Sequence, residues 1–131
     1  MRQRVFVSYV FEDARYRNRV VDWAQKGLLG AIEPVFEEED VRAQGEIGIQ
    51  SHLRPIMRSA SGLLVLVGQD SHNRRWVDAE VHFFKSAGMP IVLTRVPETT
   101  GAAPLEVREN PLIPFTAESL LKAFMAKRGA K

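Results

Sequence analysis

Glu80 is a carboxylate whose neighbours offer it no salt bridge. It belongs to residues 71–88, where apolar side chains recur at steps of three and four positions and so predict an amphipathic helix. The side chains at those steps from Glu80 are all apolar, namely Trp76, Val77, Phe83 and Phe84. Glu80 therefore gains no ion pair along the helix and is partly shielded from water. A purely structural alternative exists, because the positive end of the helix dipole stabilises an acid early in a helix.

A single carboxylate beside aromatic side chains suits the cleavage of an N-glycosidic bond. The transition state of that reaction carries positive charge on the sugar ring, which a carboxylate stabilises. An aromatic ring can stack on the base. When the leaving group is already cationic, as nicotinamide is in NAD, no general acid is needed, so the two carboxylates of O-glycosidases are not required. Glu80 alone is therefore a candidate catalytic residue.

The elements around Glu80 alternate between strands and helices. Five apolar segments predict strands, at residues 4–9, 32–36, 63–67, 90–96 and 111–115. Helical periodicity lies between and after them, at residues 12–26, 49–57, 71–88 and 118–127. Residues 1–131 are therefore predicted to form a single α/β domain of flavodoxin-like type. Its five-stranded parallel sheet has the order 2-1-3-4-5, with helices on both faces and the proline-containing second and fifth strands at the edges.

The predicted strand order places a crevice beside Glu80. In such a sheet, ligands bind beyond the carboxyl ends of the strands at the switch point, which here lies between strands one and three. Residues 8–10 and 68–70 follow these two strands and line the crevice. The helix that carries Glu80 begins just after the second of these segments, so Glu80 is expected near the ligand.

Two predicted helices carry signals for their ends and buried faces. Ser71 or Asn73 is predicted as the N-cap of the Glu80 helix, and Gly88 as its end. The inward residues of the last helix are predicted to be Leu120, Leu121, Phe124 and Met125.

Composition excludes several classes of protein. The chain has no cysteine, so it has neither disulfides nor thiolate metal sites, and its three histidines are scattered, so no metal site is predicted. Its net charge is +2, but basic and acidic residues are interleaved, which is unlike a nucleic-acid binder. The longest apolar run, residues 63–67, is too short to span a membrane, and no signal segment precedes the first strand. The sequence predicts a cytoplasmic protein.

Other motifs of nucleotide and phosphate chemistry are absent or incomplete. The chain contains no GxGxxG, P-loop or GxSxG motif. Glu12, Asp13 and Asp70 are placed like the acidic pocket of a response regulator, but residues 67–69, Val-Gly-Gln, offer no phospho-acceptor. These three acids are predicted to cap helices instead.

Five segments together carry a family resemblance. They are VFVSY at 5–9, the loop that contains Gly45, SASGLLVLVG at 59–68, RWVDAEV at 75–81 and GMPIVL at 88–93. From about residue 4 to residue 96 the chain resembles a TIR domain, and more narrowly the TIR-like proteins of bacterial antiphage defence of the Thoeris type.

The resemblance implies an activity and a set of site residues. Glu80 matches the catalytic glutamate of the WVxxE motif in enzymatic TIR domains. By register, the residues implied to line the NAD site are Phe6, Ser8, Tyr9, Gly45, Ile47 and Trp76. NAD is then the substrate and no cofactor is needed. Nicotinamide is released, and an ADP-ribose-type product, linear or cyclised, acts as a signal to a separate effector protein. Self-association through TIR surfaces is implied to switch on the activity.

Val10 and Phe11 depart from the family pattern. Many catalytic TIR domains have a basic residue directly after the SY pair, whereas this chain has these two apolar residues. Contacts to the NAD phosphates would then come from elsewhere, with Arg42 and Arg74 as the candidates.

Two alternatives to the NAD-cleaving enzyme are also compatible with the sequence. One is a non-catalytic TIR-like module that signals through protein contacts, for which Arg42 and Glu46 would matter and Glu80 would be replaceable. The other is an enzyme that transfers a deoxyribosyl group between bases, which uses a similar fold and a glutamate.

Overall fold

The computed structural model describes residues 3–36, 55–71 and 74–129. Five strands form one parallel sheet: Gln3–Ser8 (β1), Ile32–Val35 (β2), Gly62–Val67 (β3), Ile91–Arg95 (β4) and Leu112–Ile113 (β5). Helices Ala14–Gln25 (α1), Arg75–Ser86 (α2) and Ala117–Gly129 (α3) cover the two faces of this sheet. The strand order β2-β1-β3-β4-β5 confirms the predicted fold class and topology.

The core consists of two apolar layers, one on each face of the sheet. All six residues of β3 are buried, as expected for the central strand of a parallel sheet. Alternate side chains of the strands enter opposite layers. Phe6 and Leu63 pack with α2, whereas Val7 and Leu64 pack with α1 and α3. Each fully buried side chain of this kind stabilises the fold by about 1.5–3 kcal/mol.

The start of α2 differs from the prediction. Arg74 is the N-cap residue and makes no side-chain capping bond, so the prediction of Ser71 or Asn73 is wrong; Asn73 itself lies outside the described residues. Ser71 is instead buried at the end of β3, where its hydroxyl accepts from Gly68 N at 2.9 Å and donates to the carbonyl of Leu66 at 3.1 Å. A side chain committed to closing β3 cannot also cap the helix.

The other helix ends follow the sequence more closely. Gly88 has φ of +70° directly after the C-cap of α2, which confirms the predicted end. In α3, Leu120 and Phe124 are buried as predicted, but Met125 is 60% exposed, which corrects that assignment. Met125 follows Phe124 directly, and one residue is about 100° around a helix, so both cannot face the sheet. No helix in the described ranges is long and apolar enough to cross a membrane.

Candidate active site

Glu80 and Ser8 form a buried pair at the carboxyl end of β1. The Ser8 hydroxyl donates to Glu80 Oε1 at 2.6 Å, and both residues have no exposed surface. Ser8 is the last residue of β1, and its side chain points to the same face as Phe6, two positions earlier. Glu80 lies in the second turn of α2 and faces inward. A hydroxyl-to-carboxylate distance of this length is typical of a charge-assisted hydrogen bond.

Apolar side chains surround this pair. Val77, Val81 and Phe84 of α2 are fully buried, and the Phe84 ring stacks on Phe6 with centroids 6.1 Å apart. Burying a carboxylate among such groups costs free energy unless hydrogen bonds or opposite charges compensate it. The fold therefore keeps an ionisable group at a position whose neighbours along α2 are apolar.

Trp76 lies one helical turn before Glu80. Its side chain is half-buried, and its indole Nε1 donates a long hydrogen bond, 3.5 Å, to the Tyr9 carbonyl. The guanidinium of Arg74 lies 5.5 Å from the Trp76 ring centroid. Trp76 therefore joins α2 to the loop after β1, close to where Glu80 meets Ser8.

The remaining residues predicted from the resemblance lie at different depths. Phe6 is fully buried in the α2 layer, below Ser8. Tyr9 is 2% exposed and its ring lies on the opposite face of the sheet from Glu80. Gly45 and Ile47 lie outside the described residues, as does Arg42. The structure thus brings Ser8, Trp76 and Glu80 together. Phe6 lies deeper in the same layer, and the Tyr9 ring lies on the other face of the sheet.

Arg74 is bound by two of the acids that follow the strands. Its Nη2 lies 3.2 Å from Glu12 Oε2 and 3.5 Å from Asp70 Oδ2. Glu12 therefore ties the turn after β1 to the start of α2, and its predicted role as a helix cap is wrong. In the described part of the chain, no group of three or more potential metal-ligating side chains comes together.

Asp13 is buried beside the end of β3. It occupies the N-cap position of α1 but makes no side-chain capping bond, which corrects its predicted role. The Asp13 carboxylate fills the space next to Gly68, where an added Cβ would collide with it. Burial raises the pKa of Asp13, the charge of Glu12 raises it further, and the charge of Arg15 lowers it in part.

The raised pKa of Asp13 predicts a pH-dependent cost. The native state holds the proton more tightly than the unfolded chain, whose pKa is near 3.8, so ionised Asp13 destabilises the fold. This cost is absent below the pKa that Asp13 has in the unfolded chain. It grows as the pH rises toward the higher pKa that Asp13 has in the folded protein. Asp13→Asn should therefore gain stability relative to wild type as the pH rises above about 3.8, as measured by urea unfolding at a series of pH values. A difference between the two proteins that stays constant over that series would contradict the assignment.

A family model decides which family these residues belong to. The model described as Thoeris protein ThsB, TIR-like domain, matches residues 6–101, which include Ser8, Trp76 and Glu80. The chain belongs to this family. The resemblance inferred from VFVSY, RWVDAEV and the segments around them is thereby confirmed.

The structure of this Thoeris TIR-like domain is also similar to a solved TIR domain. The crystal structure of the TIR domain of the Toll-related Receptor TRR-2 from Hydra magnipapillata superimposes with a TM-score of 0.61, covering 95% of this chain and 94% of that chain. The two are 11% identical, so the likeness shows a shared fold alone. No curated protein matches the chain.

Arg17 is a feature of this TIR-like domain that the sequence did not reveal. It lies in the first turns of α1, and its Nη1 donates to the Tyr9 hydroxyl at 2.6 Å. Its guanidinium lies 5.0 Å from the Tyr9 ring centroid and 4.5 Å from that of Phe36. A spacing of eight residues has no meaning within one helix or strand, so no local pattern could have linked Arg17 to Tyr9.

Proposed function

We propose that this Thoeris TIR-like domain cleaves NAD, with Glu80 as its catalytic residue. The observation that carries the proposal is the fully buried Glu80 carboxylate, held by Ser8 in an apolar layer at the carboxyl ends of β1 and β3. This is the edge of a doubly wound sheet at which ligands bind. A charge kept there against its desolvation cost is better explained by chemistry than by packing.

The chemistry asked of Glu80 is electrostatic. The bond between the ribose C1′ and the nicotinamide nitrogen breaks, and its electron pair leaves with the nitrogen, so nicotinamide departs neutral. Positive charge then develops on the ribose ring, where the Glu80 carboxylate stabilises it at short range in apolar surroundings. Water, or a nucleophilic group of the same ADP-ribosyl cation, then adds at C1′ and loses a proton. The products are nicotinamide and linear or cyclised ADP-ribose.

Ser8 and Trp76 support this role. The Ser8 hydrogen bond fixes one carboxylate oxygen, so the charge is oriented before the reaction begins. Trp76 offers an aromatic surface one turn away for a flat base. Glu80 has no contact with solvent, so the proposal includes a rearrangement that admits NAD. Self-association through TIR surfaces is the proposed trigger.

The product is proposed to act as a cytoplasmic signal in antiphage defence, read by a separate effector protein. A second function is favoured by the burial of Glu80, whose carboxylate has no exposed surface for a substrate to reach. In that case this domain would signal through protein contacts without chemistry, and Glu80 would serve the fold alone.

The experiment that separates these functions is chromatography of NAD incubated with the purified domain, both free and fused to an oligomerising partner. The enzyme proposal predicts nicotinamide release that increases on enforced assembly, together with an ADP-ribose-type product. Intact NAD under both conditions would leave the interaction module as the function.

Removing the Ser8 hydroxyl should weaken the reaction without abolishing it. Ser8→Ala takes away the donor to Glu80 Oε1 and leaves the carboxylate less well oriented, so kcat should fall roughly 10- to 100-fold. Stability should fall by about 1–2 kcal/mol, because a buried acceptor loses its donor. Ser61→Ala is the matched control, since the Ser61 hydroxyl bonds the Arg4 carbonyl at an exposed position. Equal kcat values for Ser8→Ala and Ser61→Ala would contradict the role of Ser8.

A further inference from the structure

Arg17 is a cation that the described structure leaves without a carboxylate partner. Its Nη1 donates to the Tyr9 hydroxyl, and its Nε and Nη2 both donate to Asn18 Oδ1, at 3.1 and 2.7 Å. These acceptors are neutral, and no ion pair of Arg17 occurs within residues 3–36, 55–71 and 74–129. Of the five N–H groups of a guanidinium, two stay unused by the described residues. No carboxylate in the described residues therefore compensates the charge of this half-buried arginine.

Arg74, a candidate from the sequence for binding the NAD phosphates, differs from Arg17 because it has carboxylate partners. Its guanidinium lies beside two carboxylates, those of Glu12 and Asp70, which compensate its charge. An incoming phosphate would have to compete with both acids. Arg17 has no such competitor in the described part of the chain, so it is the better anion ligand of the two.

The position of Arg17 relative to Glu80 suits a long substrate. Ser8 and Tyr9 are adjacent, so their Cα atoms lie about 3.8 Å apart, and their side chains point to opposite faces of the sheet. Ser8 holds Glu80 on one face, and Tyr9 holds Arg17 on the other. The carboxylate and the guanidinium therefore flank the carboxyl end of β1. A dinucleotide lying across that end can place its glycosidic bond at Glu80 and its diphosphate toward Arg17.

Two aromatic rings fix the guanidinium in this position. Arg17 lies 5.0 Å from the Tyr9 ring centroid and 4.5 Å from the Phe36 ring centroid. Such contacts hold an arginine in place without neutralising it. Tyr9, implied by the resemblance to line the site, is 2% exposed and so contacts Arg17 rather than solvent.

We propose that Arg17 binds the diphosphate of the dinucleotide, with Tyr9 and Phe36 as the side chains that position it. This inference rests on the proposed function for the identity of the substrate. It assigns to α1 the positive charge that this chain lacks directly after Tyr9, at Val10 and Phe11. Tyr9 acts through Arg17 and not by touching the substrate.

The test measures both binding and turnover. Isothermal titration of the full chain with ADP-ribose, which carries the diphosphate but no nicotinamide, reports binding without chemistry. We expect Arg17→Met to weaken ADP-ribose binding roughly 10- to 100-fold and to raise KM for NAD by a similar factor, with kcat changed only a few-fold. Arg17→Lys, which keeps the charge but loses the planar fork, should fall between Arg17→Met and wild type. Arg19→Met, two positions along the same helix, is the control and should bind like wild type.

The salt dependence of ADP-ribose binding tests the charge of Arg17 directly, because a merely structural role of Arg17 would not change it. Wild-type binding of ADP-ribose should weaken with added salt more steeply than the binding that survives in Arg17→Met. Unchanged affinity in Arg17→Met and Arg17→Lys would overturn the inference, even if NAD is cleaved. Binding that depends on Arg17 in a protein that cleaves no NAD would support the inference and overturn the proposed function. Absence of both binding and cleavage would overturn both.

Discussion

Replacing Glu80 with glutamine is expected to lower nicotinamide release roughly a thousandfold while leaving the fold intact. Glutamine has nearly the same shape as glutamate and keeps a carbonyl oxygen that can accept the Ser8 hydrogen bond. What it lacks is the negative charge that stabilises the ribose cation. The apolar surroundings of Val77, Val81 and Phe84 make that charge more effective than it would be in water. The loss should appear in kcat, since the interaction strengthens only as the bond breaks.

The control for this prediction lies on the same helix. Asp78 is exposed and two residues from Glu80, so Asp78→Asn removes an equal charge from α2 without touching the buried pair. Nicotinamide release should be close to wild type in Asp78→Asn and nearly absent in Glu80→Gln. Both variants should melt within a few degrees of wild type. Loss of activity to the same extent in both variants would point to the overall charge of the helix and away from Glu80.

Substituting Gly101 by alanine is expected to have the largest effect on stability, about 2–3 kcal/mol. Gly101 is buried, and an added Cβ would collide with the carbonyl oxygens of Gly68 and Gln69. These oxygens belong to the main chain directly after β3, so they cannot swing aside as a flexible side chain would. The segment at Gly101 is also joined to Gln69 by the hydrogen bond from Thr100 N to Gln69 Oε1, 3.0 Å long. The added methyl must therefore push two linked segments apart.

Urea unfolding measures this effect. Ala102→Ser is the matched control, because Ala102 is the exposed neighbour and should change stability by less than about 0.5 kcal/mol. Gly68→Ala is an informative comparison, since its Cβ would meet the Asp13 side chain, which can rotate away more easily than main chain can. A Gly101→Ala protein as stable as Ala102→Ser would mean that the contact between residues 68–69 and Gly101 is looser than described.

The strand order could be predicted from the sequence because its signals are local. The apolar run at 63–67 and the prolines of strands two and five are each recognised within a few residues of sequence. Alternation of strands with helices then leaves few arrangements of the sheet. The two ends of α2 show the same difference between local signals and contacts with other elements. Gly88 is a local signal, and its positive φ confirms the predicted end of α2. Ser71 instead binds the carbonyl of Leu66 in β3, a contact that a capping pattern does not encode.

The candidate site could be predicted only in part, since its pairs join distant residues. Glu80 is distinguished by its neighbours in the helix, but Ser8 lies 72 positions away, and only the predicted strand order and the resemblance placed the two at one site. No motif predicted a role for Arg17, because its position depends on contacts with the rings of Tyr9 and Phe36. Contacts of this kind come from the packing of α1 across the sheet, which sequence spacing does not report.

The role of Glu80 is tested most directly by a crystal structure with carba-NAD. In this analogue a methylene replaces the oxygen of the ribose ring that carries nicotinamide, so the analogue cannot be cleaved. We expect the ring carbon bonded to nicotinamide to lie against the Glu80 carboxylate, with the Ser8 hydrogen bond retained and the base near Trp76. An analogue bound with that carbon remote from Glu80 would contradict the claim that this carboxylate stabilises the ribose cation.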